Sequence, residues 1–97
     1  RAARTIADRA ADAGVGVVVS TLFETGVGIA AALHLAATLP DDGRAHGLAT
    51  AELLATDLLV EPLAIHAGRM RVPGGPGLGV ALDQAAVEHH RVRVPVP

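Results

Sequence analysis

Residues 15–19 read Val-Gly-Val-Val-Val, apolar or glycine at every position rather than at alternate ones. A strand with one face in water alternates. A strand that does not alternate has both faces covered, as in a parallel sheet sandwiched by helices. Parallel strands in turn require long crossovers, almost always right-handed and commonly helical.

The neighbouring sequence supplies such crossovers. Upstream, residues 1–14 read as the end of a helix, with Ala2, Ile6, Ala10 and Ala13 sharing a face and Gly14 as its stop. Downstream comes a Ser-Thr-x-x-Glu-Thr-Gly seam, Ser20 to Gly26. The alanine-rich segment that follows predicts a helix over Gly26–Thr38, capped by Thr25 and closed by Pro40. After a turn at Asp41–Arg44, "AHGLAT" is a short second strand. Thr50 then caps a third helix over about Ala51–Leu59. Helix, strand, helix, strand, helix is the order of βα units on a parallel sheet.

Beyond Glu61 the pattern changes to short extended pieces separated by Gly-Pro turns. Asp83 is placed to cap a short helix running through His90. Residues 91–97, "RVRVPVP", alternate like an edge strand that its prolines stop. The pattern divides the chain into residues 1–60 as βα units and residues 61–97 as a separate lobe or a tail that packs elsewhere.

The chain has 97 residues, enough for at most one small domain. Its 51% hydrophobic content is carried by Ala, Val and Leu, with one Phe and no Trp or Tyr. Small side chains suit close packing of helices on a sheet; an independent mini-protein needs large anchors or staples. Two parallel strands cannot cover their own edges, and a complete barrel of such units takes roughly 250 residues. The chain also opens with Arg, in mid-helix pattern. A slice of a larger α/β fold is therefore expected.

Several classes are disfavoured. The absence of Cys excludes disulfides and thiolate zinc sites. A net charge of −2, with every cation an Arg, does not suit a nucleic-acid surface. The longest apolar run is too short and too interrupted to cross a membrane, and the charged start is unlike a signal peptide. A cytoplasmic location is expected.

The chemistry concentrates at the ends of the two strands, where α/β folds build their sites. Two readings of the first seam stand. In one, Ser20, Thr21 and the helix N–H groups meet a substrate carboxylate while Glu24 fixes a cationic neighbour. In the other, Thr21 and Glu24 make capping contacts. Gly47 permits close approach of a ligand or serves packing. His46 is a candidate base with nothing near it in sequence to orient it, and His34 reads as a half-buried structural imidazole. His89 and His90 form a surface pair at a helix end, "GGPGLG" is a turn, and Asp57 and Glu61 read as solvated carboxylates. No carboxylate cluster has the pattern of a hard-metal site, and there is no Ser-His-Asp arrangement.

Three stretches together resemble one family: "VVVSTLFETGVGIAAALHLAATLP", "HGLATAELLATDLL" and "GRMRVPGGPGLGVALD". They are similar to the C-terminal part of the enolase superfamily, of the mandelate racemase/muconate-lactonizing kind, most of all to o-succinylbenzoate synthases. The resemblance implies an α/β fold: the last two βα units of a (β/α)-barrel, Val15–Val19 and His46–Leu48 being its seventh and eighth strands. A return segment then packs on a capping domain. It also implies magnesium-assisted proton abstraction α to a carboxylate. The magnesium and the catalytic lysines would belong to parts of the parent enzyme absent from this chain, which has no Lys.

What carries over is a substrate shell: Ser20 toward a substrate carboxylate, with Thr21, Glu24, Gly47 and Leu48 around it. No catalytic or metal-binding residue is expected here. The eighth-strand stretch lacks the Asp-x-Asp that dipeptide epimerases use. The implied partners are a small carboxylate substrate and the remainder of the barrel and cap, with an oligomer left open. Alternatives are a racemase or muconate cycloisomerase segment, and, in another class, a small module that dimerises through apolar faces.

Overall fold

A computed structural model describes residues 1–95 of the chain. Its regular elements are α1 (Ala2–Asp12), α2 (Gly26–Ala36), a 3-10 turn (Ala51–Leu53), β1 (Ile65–His66), β2 (Arg69–Met70) and α3 (Gln84–His89). The core lies between α2 and the segments crossing it. Ile29, Leu33 and Ala36 of α2 are buried with Leu48, and Val19, Ala51, Leu63 and Met70 pack around them.

Helix α2 follows from its composition: alanine and leucine have high helix propensity, and Ile29 and Leu33 recur one turn apart on the buried face. It ends two residues before the expected boundary. The last turn tightens, with Leu39 N–H donating to Ala36 O (3.0 Å). Leu35 O accepts from both the Thr38 N–H (3.0 Å) and the Thr38 hydroxyl (2.7 Å). Helix α1 is stopped as expected, Gly14 adopting φ 69°. Its buried residue is Ala7, while Ile6 is 66% exposed, so the inward face is one position off the expected one. The small Ala7 allows the helix to lie close, and Arg4 pairs with Asp8 on its surface (2.8 Å).

The two expected strands run parallel but share one rung, Ser20 with Gly47. Gly47 N–H donates to Val19 O (2.8 Å), and Thr21 N–H donates to Gly47 O (3.0 Å). A continuing parallel ladder would send Val19 N–H to the backbone of residue 45. Instead that N–H donates to the imidazole Nδ1 of His46 (3.1 Å), and the ladder ends there. Val15 and Val18 are exposed, at 59% and 49%. The covering inferred from their lack of alternation is therefore not supplied by the described residues.

The expected third helix is reduced to the 3-10 turn. Leu54 turns extended, with φ −93° and ψ 143°. The chain then runs on to Leu59, which bridges antiparallel to Leu82. That bridge is framed by Val60 N–H to Ala81 O (3.0 Å) and Asp83 N–H to Leu58 O (2.9 Å).

Residues beyond Glu61 fold back onto α2. Strands β1 and β2 form a two-residue hairpin turned at Ala67 and Gly68, both at positive φ, the backbone that a tight antiparallel turn requires. The Gly74–Gly79 segment is a turn, as expected, and His34 Nε2 contacts Leu78 O (3.1 Å), donating from the ring to the carbonyl. Helix α3 is capped as expected: the Asp83 carboxylate accepts from Ala85 and Ala86 N–H (3.0 and 3.1 Å). Arg91–Pro95 do not pair as a strand, and the last two residues of that expectation lie outside the described residues.

Candidate functional site

The rung between Ser20 and Gly47 brings the two strand ends together, so Ser20, Thr21 and Gly47 form one cluster from positions far apart in sequence. The approach is close. A Cβ on Gly47 would sit 3.1 Å from Ser20 Cβ, so glycine there has a packing reason. Ser20 is exposed, and among the described residues its hydroxyl has no hydrogen-bond partner.

Thr21 is different. Its hydroxyl lies 3.3 Å from Gly47 O and 2.7 Å from the Thr50 hydroxyl. With Thr21 donating to the carbonyl, Thr50 donates to Thr21, and both hydroxyls are committed within the chain. Thr21 thus ties the strand ends and leaves Ser20 as the open hydroxyl. Neither Thr21 nor Glu24 makes the capping contacts of the alternative reading.

The N-terminus of α2 is capped from a distance. Thr25 occupies the cap position with extended backbone but makes no side-chain cap bond. Gly26 N–H donates instead to Asp57 Oδ1 (2.7 Å), from 31 residues away. The same oxygen accepts from Leu58 N–H (2.7 Å). Asp57, expected to be a solvated carboxylate, is half-buried and placed where the helix dipole favours a negative charge. Its occupation of Gly26 N–H removes that donor from any ligand.

Glu24 is exposed and folds over the first turn of α2, against Gly28. Leu48 is only 6% exposed and belongs to the core. Its side chain lines a cleft of about 300 Å³ with Asp57, Leu63 and Met70. Leu22 and Phe23 project from the seam, 80% and 74% exposed.

Sequence reasoning missed Thr50, Asp57 and His46 as structural partners of the seam. The first two lie in the Gly-Leu-x-Thr-x-x-Leu-Leu-x-x-Asp run that carried the resemblance, but their partners are 29 and 31 residues away. Among the described residues no group of three or more His, Asp or Glu side chains is placed to hold a metal ion. No helix there is long and apolar enough to cross a membrane.

An α/β chain with two parallel strand ends, each leading into a helical turn, is the architecture of a barrel segment, and comparison with known proteins defines which. The profile described as enolase C-terminal domain-like matches residues 1–86. The chain belongs to that family. It is 38% identical over 90 residues to a chloromuconate cycloisomerase of Cupriavidus pinatubonensis, covering 90% of this chain and 23% of that protein. It is 48% identical over 63 residues to the o-succinylbenzoate synthase of Thermobifida fusca, covering 65% of this chain and 19% of that protein. The structure superposes on a muconate lactonizing enzyme from Klebsiella pneumoniae with a TM-score of 0.79 at 33% identity, over 87% of this chain and 23% of that one. The chain therefore spans 19–23% of these proteins and matches the C-terminal part of a (β/α)-barrel.

Proposed function

We propose that this chain is the C-terminal part of an enzyme that abstracts a proton α to a carboxylate with magnesium assistance, in an o-succinylbenzoate synthase-like dehydration. It supplies substrate-contacting residues at the barrel mouth and is inactive alone. The observation that carries this reading is the open Ser20 hydroxyl at the rung where the two strand ends meet, beside a glycine that lets a ligand come close. The 48% identity to an o-succinylbenzoate synthase supports the choice of reaction. A cycloisomerase is the second reading, favoured by a match that spans 90% of the chain.

In this reading Ser20 donates to a substrate carboxylate. Thr21 fixes the strand ends, Gly47 presents backbone to the substrate, Glu24 closes the rim at the helix start, and Leu48 holds the eighth-strand end from the core side. Residues 1–60 complete the barrel wall, and residues 61–97 return to a capping domain. The partners are the remaining barrel, the cap and a small carboxylate. Magnesium would stabilise the enolate formed by proton loss. Among the described residues no group of His, Asp or Glu side chains fits it, and in this reading its ligands come from other parts of the enzyme.

The test is Ser20→Ala in the enzyme that carries this chain, assayed with magnesium for o-succinylbenzoate formation and, separately, for muconate and chloromuconate cycloisomerisation. A hydrogen bond to a charged group contributes about 1.5–3 kcal/mol, so kcat/KM should fall about ten- to a hundredfold while the melting temperature holds. Unchanged kcat/KM in a destabilised variant would end the substrate-contact reading. Turnover confined to cycloisomerisation would select the second reaction.

A further inference from the structure

Two side chains of the second βα unit reach across to the first. Thr50 holds Thr21 through its hydroxyl (2.7 Å), and Asp57 holds the start of α2 through Gly26 N–H (2.7 Å). Ser20, Leu22, Phe23 and Glu24 lie between or beside these anchor points. Apart from the rung at Gly47, backbone hydrogen bonds do not hold the seam: Leu22, Phe23 and Glu24 take part in none among the described residues.

We propose that Thr50 and Asp57 are positioning residues that fix the Ser20–Glu24 seam for substrate. The proposal rests on the reading of Ser20 given above. Asp57 is suited to the task because one oxygen serves two N–H groups, its own Leu58 and the distant Gly26, which locks its orientation. The fit is close: a Cβ on Gly26 would lie 2.5 Å from Asp57 Oδ2 and 2.8 Å from Leu59 Cγ. Thr50 is suited because its partner is the residue next to Ser20. Neither side chain needs to touch the substrate to act, since a small displacement of a contact group lowers the rate steeply.

The experiment is a double-mutant cycle in the enzyme that carries this chain, with Asp57→Ala, Thr50→Val and Ser20→Ala alone and in pairs, read as kcat/KM per folded molecule. Each clamp variant should lower kcat/KM about ten- to a hundredfold by misplacing the seam. In the Ser20→Ala background the same variants should cost little more, because the contact they position is already gone. Asp57→Asn, which keeps an acceptor oxygen in place, should restore most of what Asp57→Ala loses. Fully additive losses, or clamp variants with unchanged kcat/KM, would overturn the proposal. Should Asp57→Ala fail to fold, the near-isosteric Thr50→Val decides by the same criteria. A Ser20→Ala enzyme of full activity whose clamp variants also lose activity would refute the substrate reading of Ser20 and, with it, positioning through Ser20. The Ser20→Ala single variant separates this result from additive losses around a working Ser20 contact, since it lowers kcat/KM in that case and leaves it unchanged in this one.

Discussion

Two glycines of α2 stand two residues apart and should respond differently to alanine. Neither has positive φ, so backbone conformation permits the substitution at both. At Gly26 the new methyl would meet Asp57 Oδ2 at 2.5 Å and Leu59 Cγ at 2.8 Å, and Leu59 is buried. Overpacking of this kind costs about 1–3 kcal/mol. Displacing Asp57 would weaken a charged hydrogen bond contributing about 1.5–3 kcal/mol. The helix gains at most about 1 kcal/mol from losing a glycine. The net expectation is a loss of about 2–4 kcal/mol in the local stability of α2, or about thirty- to a thousandfold in hydrogen-exchange protection of its amides. At Gly28 the obstruction is the exposed Glu24 side chain, with Cδ at 3.1 Å and Cβ at 3.2 Å. The carboxylate can swing into water and the Cβ needs to give by only a few tenths of an ångström, so Gly28→Ala should change protection little. Native-state hydrogen exchange on both variants checks this. Unchanged or increased protection in Gly26→Ala, or an equal loss in Gly28→Ala, would refute the argument.

Three further outcomes are expected. The isolated 97-residue chain should show no magnesium-dependent lyase or isomerase turnover, since it has neither Lys nor a metal-holding cluster among its described residues; measurable turnover by the pure chain would contradict this. The isolated chain should self-associate in size-exclusion chromatography, because Val15, Val18, Leu22 and Phe23 are exposed and the parallel strands share one rung; a monodisperse monomer with a sharp melt would count against it. Replacing His34 by Ala should loosen the Gly74–Gly79 turn at a cost of about 1 kcal/mol, seen as faster proteolysis there, and an unchanged cleavage pattern would show that the ring bond to Leu78 carries no load.

Much of the architecture was legible along the chain. The alanine-rich helix, the stop at Gly14 and the Asp83 cap are all local signals, each depending on residues within a few positions of one another, whereas the covered strand read from Val15–Val19 is not formed among the described residues. The family likeness also lay in short contiguous motifs, and with it the barrel-segment fold. The extent of the third helix was not legible. Its propensity favours helix through Leu59, but Asp57 is drawn to the start of α2 and Leu59 into a bridge with Leu82.

The site divides in the same way. Sequence placed Ser20, Thr21, Glu24 and Gly47 at strand ends because the change from strand to helix pattern is a local event. Only the tertiary structure distinguished their hydroxyls. Thr21 is engaged by Thr50, 29 residues on, and Ser20 is left open. Only the tertiary structure gave Asp57 and His46 their partners, 31 and 27 residues away. Propensity and capping act over a turn or so of chain. A hydrogen bond between distant segments depends instead on the crossover that brings the second strand beside the first, and one-dimensional pattern does not encode which polar atoms then meet.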